Sequence, residues 1–365
     1  MNVLLHGFYA CRYIIIVLSL FLGMPFRSHR FMQRMLDNTQ RIMIDTYNKH
    51  HTYRKLREHK VTPNLLKPSN AAVEWWYWTG HLNDDYGFEY CMFKLNPKKQ
   101  RFGLVPMSSV HHNEWYSLHV AITDLKNDTF IARSSASYFH EPRSFQTPNG
   151  KIVPFNKLEC SFKDLRITLN VEPLTSLLTH SQTGYLTTGG IHNLYVSYPR
   201  CHVHGEIEVN GKIVPVKGDA WFDHQKMAEA HLPNLKGWDW FCGHVGKQNI
   251  MVYQARGEHT SYHATIHDKH TTYTSNVTMK PIRFWTSKKT GTRYPIEWKI
   301  QIDKKMYTIK SNVSNQELSL LHSPMAYYEG SVTWYEKDIP VGRGYMELVG
   351  YDKRLKTKII ETMIR

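Results

Sequence analysis

Several aromatic-rich blocks each carry an acid or a histidine. Glu74 precedes Trp75-Trp76-Tyr77, and Trp221-Phe222-Asp223-His224 ends on a carboxylate and an imidazole. Trp238-Asp239-Trp240 sets an acid between two indoles. Tyr328-Glu329-Gly330 and Glu347-Leu348-Val349-Gly350-Tyr351 follow near the end. Neighbouring side chains on a strand point to opposite faces, so Trp238 and Trp240 share a face and Asp239 takes the other. By the same rule Asp223 and His224 make no simple dyad unless the chain turns between them. Aromatic walls with a few polar groups suit an apolar ligand. A carboxyl in such walls has its pKa raised by desolvation and can donate a proton near neutrality. The structural alternative is that these tryptophans plug a barrel while each acid bonds backbone amides.

Other chemistries find little support. The chain has no Gly-rich phosphate loop, GxSxG elbow, HExxH or CxxC. His202-x-His204 puts two imidazoles on one strand face, a spacing that can hold a metal, yet no third ligand is in view, so neither a metal nor a cofactor is expected. The five cysteines are scattered and odd in number, which argues against a disulfide framework.

The elements that must position these blocks are short strands and tight turns from about residue 70 to 351. Trp75–Leu82, a turn at 83–87 and Phe88–Phe93 read as strand, turn, strand. Gly205–Val209 and Lys212–Val216 flank Asn210-Gly211, a pair suited to the positive φ angles of a hairpin turn. Trp298–Ile302 and Met306–Ile309 alternate around Asp303-Lys304-Lys305. The pattern predicts an all-β chain, two barrels or sandwiches in tandem, rather than βαβ units.

The 365 residues are enough for about two domains at roughly 150 each. Aromatics reach 13%, with 22 Tyr, 15 Phe and 10 Trp, a composition foreign to disordered or coiled-coil chains. The net charge of +15 gathers outside the aromatic body. Residues 25–67 carry Arg27 to Lys67 against only Asp37, Asp45 and Glu58, and the tail adds Lys353, Arg354, Lys356, Lys358 and Arg365. A solvated basic arm and tail explain the excess, and without a recognised motif nucleic acid is not an expected partner. The apolar stretch Tyr13–Met24 has the length of a signal peptide or anchor, although Arg27, Arg30 and Arg34 follow it. Residues 31–58 read as a basic helix, suited to an anionic membrane surface or to packing on its own domain, closed by Pro63 and Pro68. A cell-envelope location, periplasmic or membrane-associated, is expected, with the cytoplasm as the alternative.

Glu74-Trp75-Trp76-Tyr77-x-Thr79-Gly80-His81-Leu82 resembles the opening signature of the carotenoid 1,2-hydratase/AttH-type lipocalin-like family. Matching blocks follow in order: Leu118–Asp124, Ser197-Tyr198-Pro199-Arg200, Gly218-x-Ala220–His224, Gly237–Phe241, Phe284-Trp285, Tyr294-Pro295, Tyr328-Glu329-Gly330 and Gly344–Tyr351. The resemblance covers residues 70–352. It implies two tandem lipocalin-like antiparallel β-barrels, with a pocket in or between them; the helical N-terminal extension read from residues 31–58 lies outside the resemblance. The expected division is 1–68 for the arm, 69–228 and 229–352 for the barrels, and 353–365 for the tail. The family includes hydratases of carotenoid double bonds, fungal cyclases, lipid-associated proteins and others loosely called predicted hydrolases. Asp223 matches its acid, whereas Gln225 stands where the family often has Glu, which removes an acid pair at that point.

The resemblance implies a protein that binds a hydrophobic, isoprenoid or polyketide-like molecule. Enzyme and carrier both stay open. An enzyme would hydrate or cyclise an alkene without a cofactor, with Asp223, His224 and Asp239 as catalytic candidates. Trp221, Trp238 and Trp240 would stabilise a cation, while Tyr198 and Arg200 orient the ligand. Glu74, Trp76, His119, Glu329 and Tyr351 complete the candidate binding residues. A non-catalytic carrier of the cell envelope would need the aromatic pocket but no acid, and a peripheral membrane scaffold would depend on residues 25–67.

Overall fold

The alternation of apolar side chains on both faces of most strands leaves each strand with two surfaces to cover, and two antiparallel sheets packed on each other meet that need. The computed structural model describes residues 60–99, 101–102, 105–106, 114–139, 146–153, 156–188, 191–228, 235–257, 260–268, 271–274, 276–319 and 326–352. The Tyr13–Met24 stretch, the helical arm at 31–58, most of the basic segment 25–67 and the tail 353–365 lie outside them. Among the described residues no helix is long and apolar enough to cross a membrane.

The first sheet runs Thr129–Phe139, Glu114–Asp124, Tyr86–Leu95, Val73–Leu82, Lys212–Met227, Ile191–Val209, Leu165–Pro173, Lys157–Ser161, Gly150–Val153 and Gln146–Thr147. It curls round on itself. Tyr90 near one side donates across the interior to the carbonyls of Lys151 (2.9 Å) and Glu159 (2.8 Å) on the other. Trp76, Trp78, Phe88, Tyr90 and Phe222 fill that interior. The second sheet runs Thr271–Thr274, Ser261–Asp268, Gln248–Gly257, Leu235–Val245, Ile339–Leu348, Tyr327–Glu336, Lys305–Ser311, Arg293–Ile302 and Val277–Thr286. Phe241, Trp298, Tyr307 and Trp334 fill its interior. The two curled sheets correspond to two lipocalin-like barrels.

Both sheets follow one plan. In each, the first long strand lies between its hairpin partner and the last strand: Val73–Leu82 between Tyr86–Leu95 and Lys212–Met227, and Leu235–Val245 between Gln248–Gly257 and Ile339–Leu348. The expected hairpin turn is present, with Asn210 and Gly211 at φ 50° and 82°.

Outward-facing residues of the two sheets build a third apolar layer. Tyr77, Cys91, Tyr195 and Trp221 of the first sheet meet Trp240, Cys242, Met251, Tyr253 and Tyr345 of the second. Strand parity decides the division, for Trp76 and Trp78 enter the barrel while Trp75 and Tyr77 turn to the layer outside it. In Ile191–Val209 a bulge between Tyr198 and Cys201 reverses that parity. Before it Leu194 and Val196 face the barrel core, and after it Cys201 and Val203 do.

Four imidazoles stitch the layer. His81 Nε2 lies 2.8 Å from Ser331 Oγ, His119 Nδ1 2.7 Å from Tyr327 OH, and His180 Nδ1 2.9 Å from Thr265 Oγ1. His244 Nε2 donates to the bulge carbonyl of Pro199 at 2.9 Å. Burial lowers the pKa of His81 to about 3 and of His244 to about 4, so both are neutral near pH 7.

Candidate functional site

The third layer opens into a cavity of about 390 Å³. The first sheet lines it with Trp75, Tyr77, Phe93, Tyr195, Asp223 and Gln225, and the second with Trp238, Trp240, Tyr253, Ala255 and Glu347. The volume falls in the range of small-molecule sites, and the walls are mostly apolar. At the rim Gly237 (φ 149°) and Gly350 (φ 85°) hold conformations that L side chains rarely adopt. A Cβ on Gly237 would strike the Val349 carbonyl, and one on Gly350 the Lys236 carbonyl, so glycine is required for the closing strands to approach.

Asp223 is 3% exposed and surrounded by neutral donors. Tyr195 OH donates to Oδ2 at 2.7 Å, Trp221 Nε1 donates to Oδ1 at 2.6 Å, and Ser197 Oγ donates to Oδ1 as well. Tyr195 OH in turn accepts from Trp240 Nε1 at 2.8 Å. Burial raises the Asp223 carboxyl to about 6, and the three donors keep it from rising further. The register Tyr195↔Gln225 and Ser197↔Asp223 supplies two of these hydroxyls from the adjacent strand.

Glu347 is the second cavity acid. Its Oε2 accepts from Trp238 Nε1 at 2.8 Å. Burial pushes it up to about 7, the indole donor works against that, and the Asp223 charge adds to it. Gln225 offers no second acid on the Asp223 wall, and the other sheet supplies one. Behind Glu347 lie two more acids, both buried. Glu329 accepts from Tyr77 OH, and Glu89 has no hydrogen-bond partner on either oxygen among the described residues. Burial and neighbouring carboxylates raise both well above the ordinary carboxyl range.

The remaining sequence candidates fall elsewhere. His224 and Trp76 face the barrel interior, stacked at 4.9 Å between ring centroids, and Trp76 Nε1 donates to the Leu66 carbonyl at 2.6 Å. Glu74 accepts from Ser69 N, Ser69 Oγ and Lys94 Nζ at 2.8–2.9 Å, with His224 Nε2 at 3.6 Å and Lys226 Nζ at 3.9 Å. Burial alone would raise Glu74, yet His224, Lys94 and Lys226 overcome it and hold the carboxyl at about 2. Burial also lowers His224 to about 4. Asp239 lies on the face away from the cavity, bonded by Gln254 Nε2 (2.5 Å) and Arg256 Nε (3.0 Å). Arg256 lies over the ring of Tyr351 at 4.2 Å. Tyr198 packs beside Phe222 in the barrel, and Arg200 pairs loosely with Asp219 at 3.9 Å. His119 packs against Phe93 in the layer between the sheets, its ring tilted by 56° at 4.9 Å between centroids. His202 and His204 stack at 5.6 Å, and no cluster of metal-ligating side chains occurs among the described residues.

Asp223, Trp238 and Trp240 therefore line the cavity, and Trp221 and Glu329 support it. Sequence reasoning missed Tyr77, Tyr195, Ser197 and Glu347 as site residues. The signal for Glu347 was its aromatic block, and for Tyr195 and Ser197 the period-2 pairing with Asp223.

The AttH-like family profile matches residues 63–351. A putative AttH from Nitrosomonas europaea superposes with a TM-score of 0.69 at 24% identity, covering 82% of this chain and 99% of that one. Kievitone hydratase from Nectria haematococca gives 0.62 at 16% identity, covering 81% and 97%. CghA gives 0.51 at 9% identity, covering 81% and 94%. A search of curated proteins finds no match.

Proposed function

The chain belongs to the AttH-like family, and from that premise we propose that its inter-sheet cavity binds an apolar, isoprenoid- or polyketide-like molecule and hydrates or cyclises an alkene in it. One observation carries the reading: two carboxyls, buried Asp223 near 6 and half-buried Glu347 near 7, face one aromatic cavity from opposite sheets. The likeness in fold to kievitone hydratase supports it.

Protonated Asp223 is the acid. Its O–H bond breaks as the alkene π electrons form a C–H bond, leaving a carbocation. The faces of Trp238 and Trp240 stabilise that cation. In hydration, water adds to it and passes its extra proton to the Glu347 carboxylate; in cyclisation, a second double bond adds instead and the new cation loses a C–H proton to Glu347. In both, Glu347 then returns its proton to solvent. The partners assign the roles. Asp223 has the donate-only Trp221 indole but also two hydroxyls, of which Ser197 can reverse to accept from the protonated acid, whereas the Trp238 indole on Glu347 can only donate and favours a carboxylate there. This difference in partners outweighs the pKa order of the two acids, which lie about one unit apart.

Native mass spectrometry with lipid extraction, on protein from its own host, tests the ligand class. A stoichiometric apolar molecule is the expected result, and an empty protein counts against it. With that molecule in hand, Asp223→Asn should abolish turnover and keep affinity. A carrier would be indifferent to Asp223→Asn and would lose affinity in Trp238→Ala.

A further inference from the structure

His180 has no part in the cavity chemistry, yet it is wholly buried and both ring nitrogens are engaged. Nε2 lies 2.8 Å from Ser197 Oγ, the hydroxyl that bonds Asp223. Nδ1 lies 2.9 Å from Thr265 Oγ1 in the second sheet, and Thr265 Oγ1 lies 3.0 Å from Nε2 of half-buried His263. We propose that Ser197, His180, Thr265 and His263 form a proton relay that crosses from one sheet to the other and reloads Asp223 after each turnover. The inference rests on the acid role of Asp223 given above.

The chain has one consistent polarity when Asp223 is ionised. Ser197 donates to Asp223 Oδ1, His180 Nε2–H to Ser197, Thr265 to His180 Nδ1, and His263 Nε2–H to Thr265. A proton arriving at His263 Nδ1 displaces the one on Nε2 to Thr265. Thr265 gives its own to His180 Nδ1, His180 gives its Nε2 proton to Ser197, and Ser197 gives its own to Asp223. Each link breaks one N–H or O–H bond and forms another, so one proton enters and one reaches the carboxyl. Every hydrogen bond survives with its direction reversed. The other two donors, Tyr195 and Trp221, keep their bonds throughout. Rotation about the C–O bond then turns the acid proton from Ser197 into the cavity.

His180 is suited to passing protons without storing them. Burial, with His263 adding to it, lowers its pKa well below the usual imidazole range, so it stays neutral between transfers. Its ring packs on Tyr195 with centroids 4.1 Å apart, which fixes its orientation. Without such a path, an Asp223 walled in by an apolar ligand could regain its proton only after product leaves.

The test uses the full chain without ligand. A stopped-flow jump from about pH 8 to about pH 5 spans the titration of a buried carboxyl near 6, and the infrared carboxyl band absent from Asp223→Asn reports its protonation. Thr265→Val and His180→Phe should slow the band's appearance by about tenfold or more, with the end-point titration nearly unmoved. Added imidazole should restore the rate in His180→Gly. Wild-type rates in both Thr265→Val and His180→Phe would overturn the relay. Thr265→Val, close to isosteric, decides the matter if the His180 variants do not fold. Because no substrate is used, slowed protonation alongside an absent turnover would sink the proposed function and leave the relay standing.

Discussion

Glu74 and Asp223 are buried carboxylates on the same pair of hydrogen-bonded strands, three rungs apart, where Glu74 faces Lys226 and Tyr77 faces Asp223. Parity sends Glu74 into the first barrel and Asp223 into the cavity outside it. Glu74 is met by Lys94, Lys226 and His224 and is held at about 2. Asp223 is met only by neutral donors and stands at about 6. Burial is nearly equal, so charge in the surroundings makes the difference. Cations fix a carboxylate permanently and make it structural; neutral donors hold it in place while leaving its proton exchangeable.

The contrast is broken most severely at Glu74. Glu74→Gln takes the carboxylate from Lys226 and leaves Lys94 with Glu114 at 3.2 Å, and should cost about 3 kcal/mol in urea unfolding at pH 7. A lowered carboxyl stabilises above its unfolded value of 4.5 and loses that contribution as pH falls toward 2. The deficit of the variant should therefore close over the same window.

Asp223→Asn should act in the opposite direction and raise stability by up to about 3 kcal/mol at pH 7. A raised carboxyl favours the protonated native state, so the wild type loses stability as pH climbs from 3.8 to about 6. The gain should appear across that interval and be absent below it, which urea midpoints at a series of pH values will show. Destabilisation at pH 7 would refute the comparison.

Trp238→Phe keeps an aromatic wall but removes the indole donor to Glu347. The Glu347 titration, followed by its infrared carboxyl band, should move up by about one unit, worth about 1.4 kcal/mol. The smallest effect is expected from Gln225→Glu, two residues from Asp223 on the cavity wall. The added like charge should raise Asp223 by a fraction of a unit, about 0.5 kcal/mol, read from the same kind of band. A fall in either titration would contradict the electrostatic reading.

The strand-and-turn pattern, the hairpin at Asn210-Gly211 and the shared face of Trp238 and Trp240 were all legible in the sequence. The face that would carry the site was not. Trp76 reads as a binding residue as well as Trp75 does, because the Val73–Leu82 strand is covered on both sides and shows no polar face. The same ambiguity put Glu74 and His224 among the candidates, although their parity leads into the barrel. Glu347 sits over a hundred residues beyond Asp223, and only the pairing of Leu235–Val245 with Ile339–Leu348 brings it beside Trp240. His180 belongs to no aromatic block, so nothing local marks it.

The four imidazoles between the sheets have a consequence for how the molecule comes apart. Burial makes charging three of them, His81, His180 and His244, costly. As pH falls below the usual histidine range, any state with the seam open takes up protons that the closed seam refuses, so acid favours opening. The first barrel interior holds one such imidazole, His224, against three at the seam, and both interiors are held mainly by their own aromatic packing. Mild acid should therefore unzip the seam before it melts the barrels, and the cavity, which exists only at that seam, would be the first thing lost.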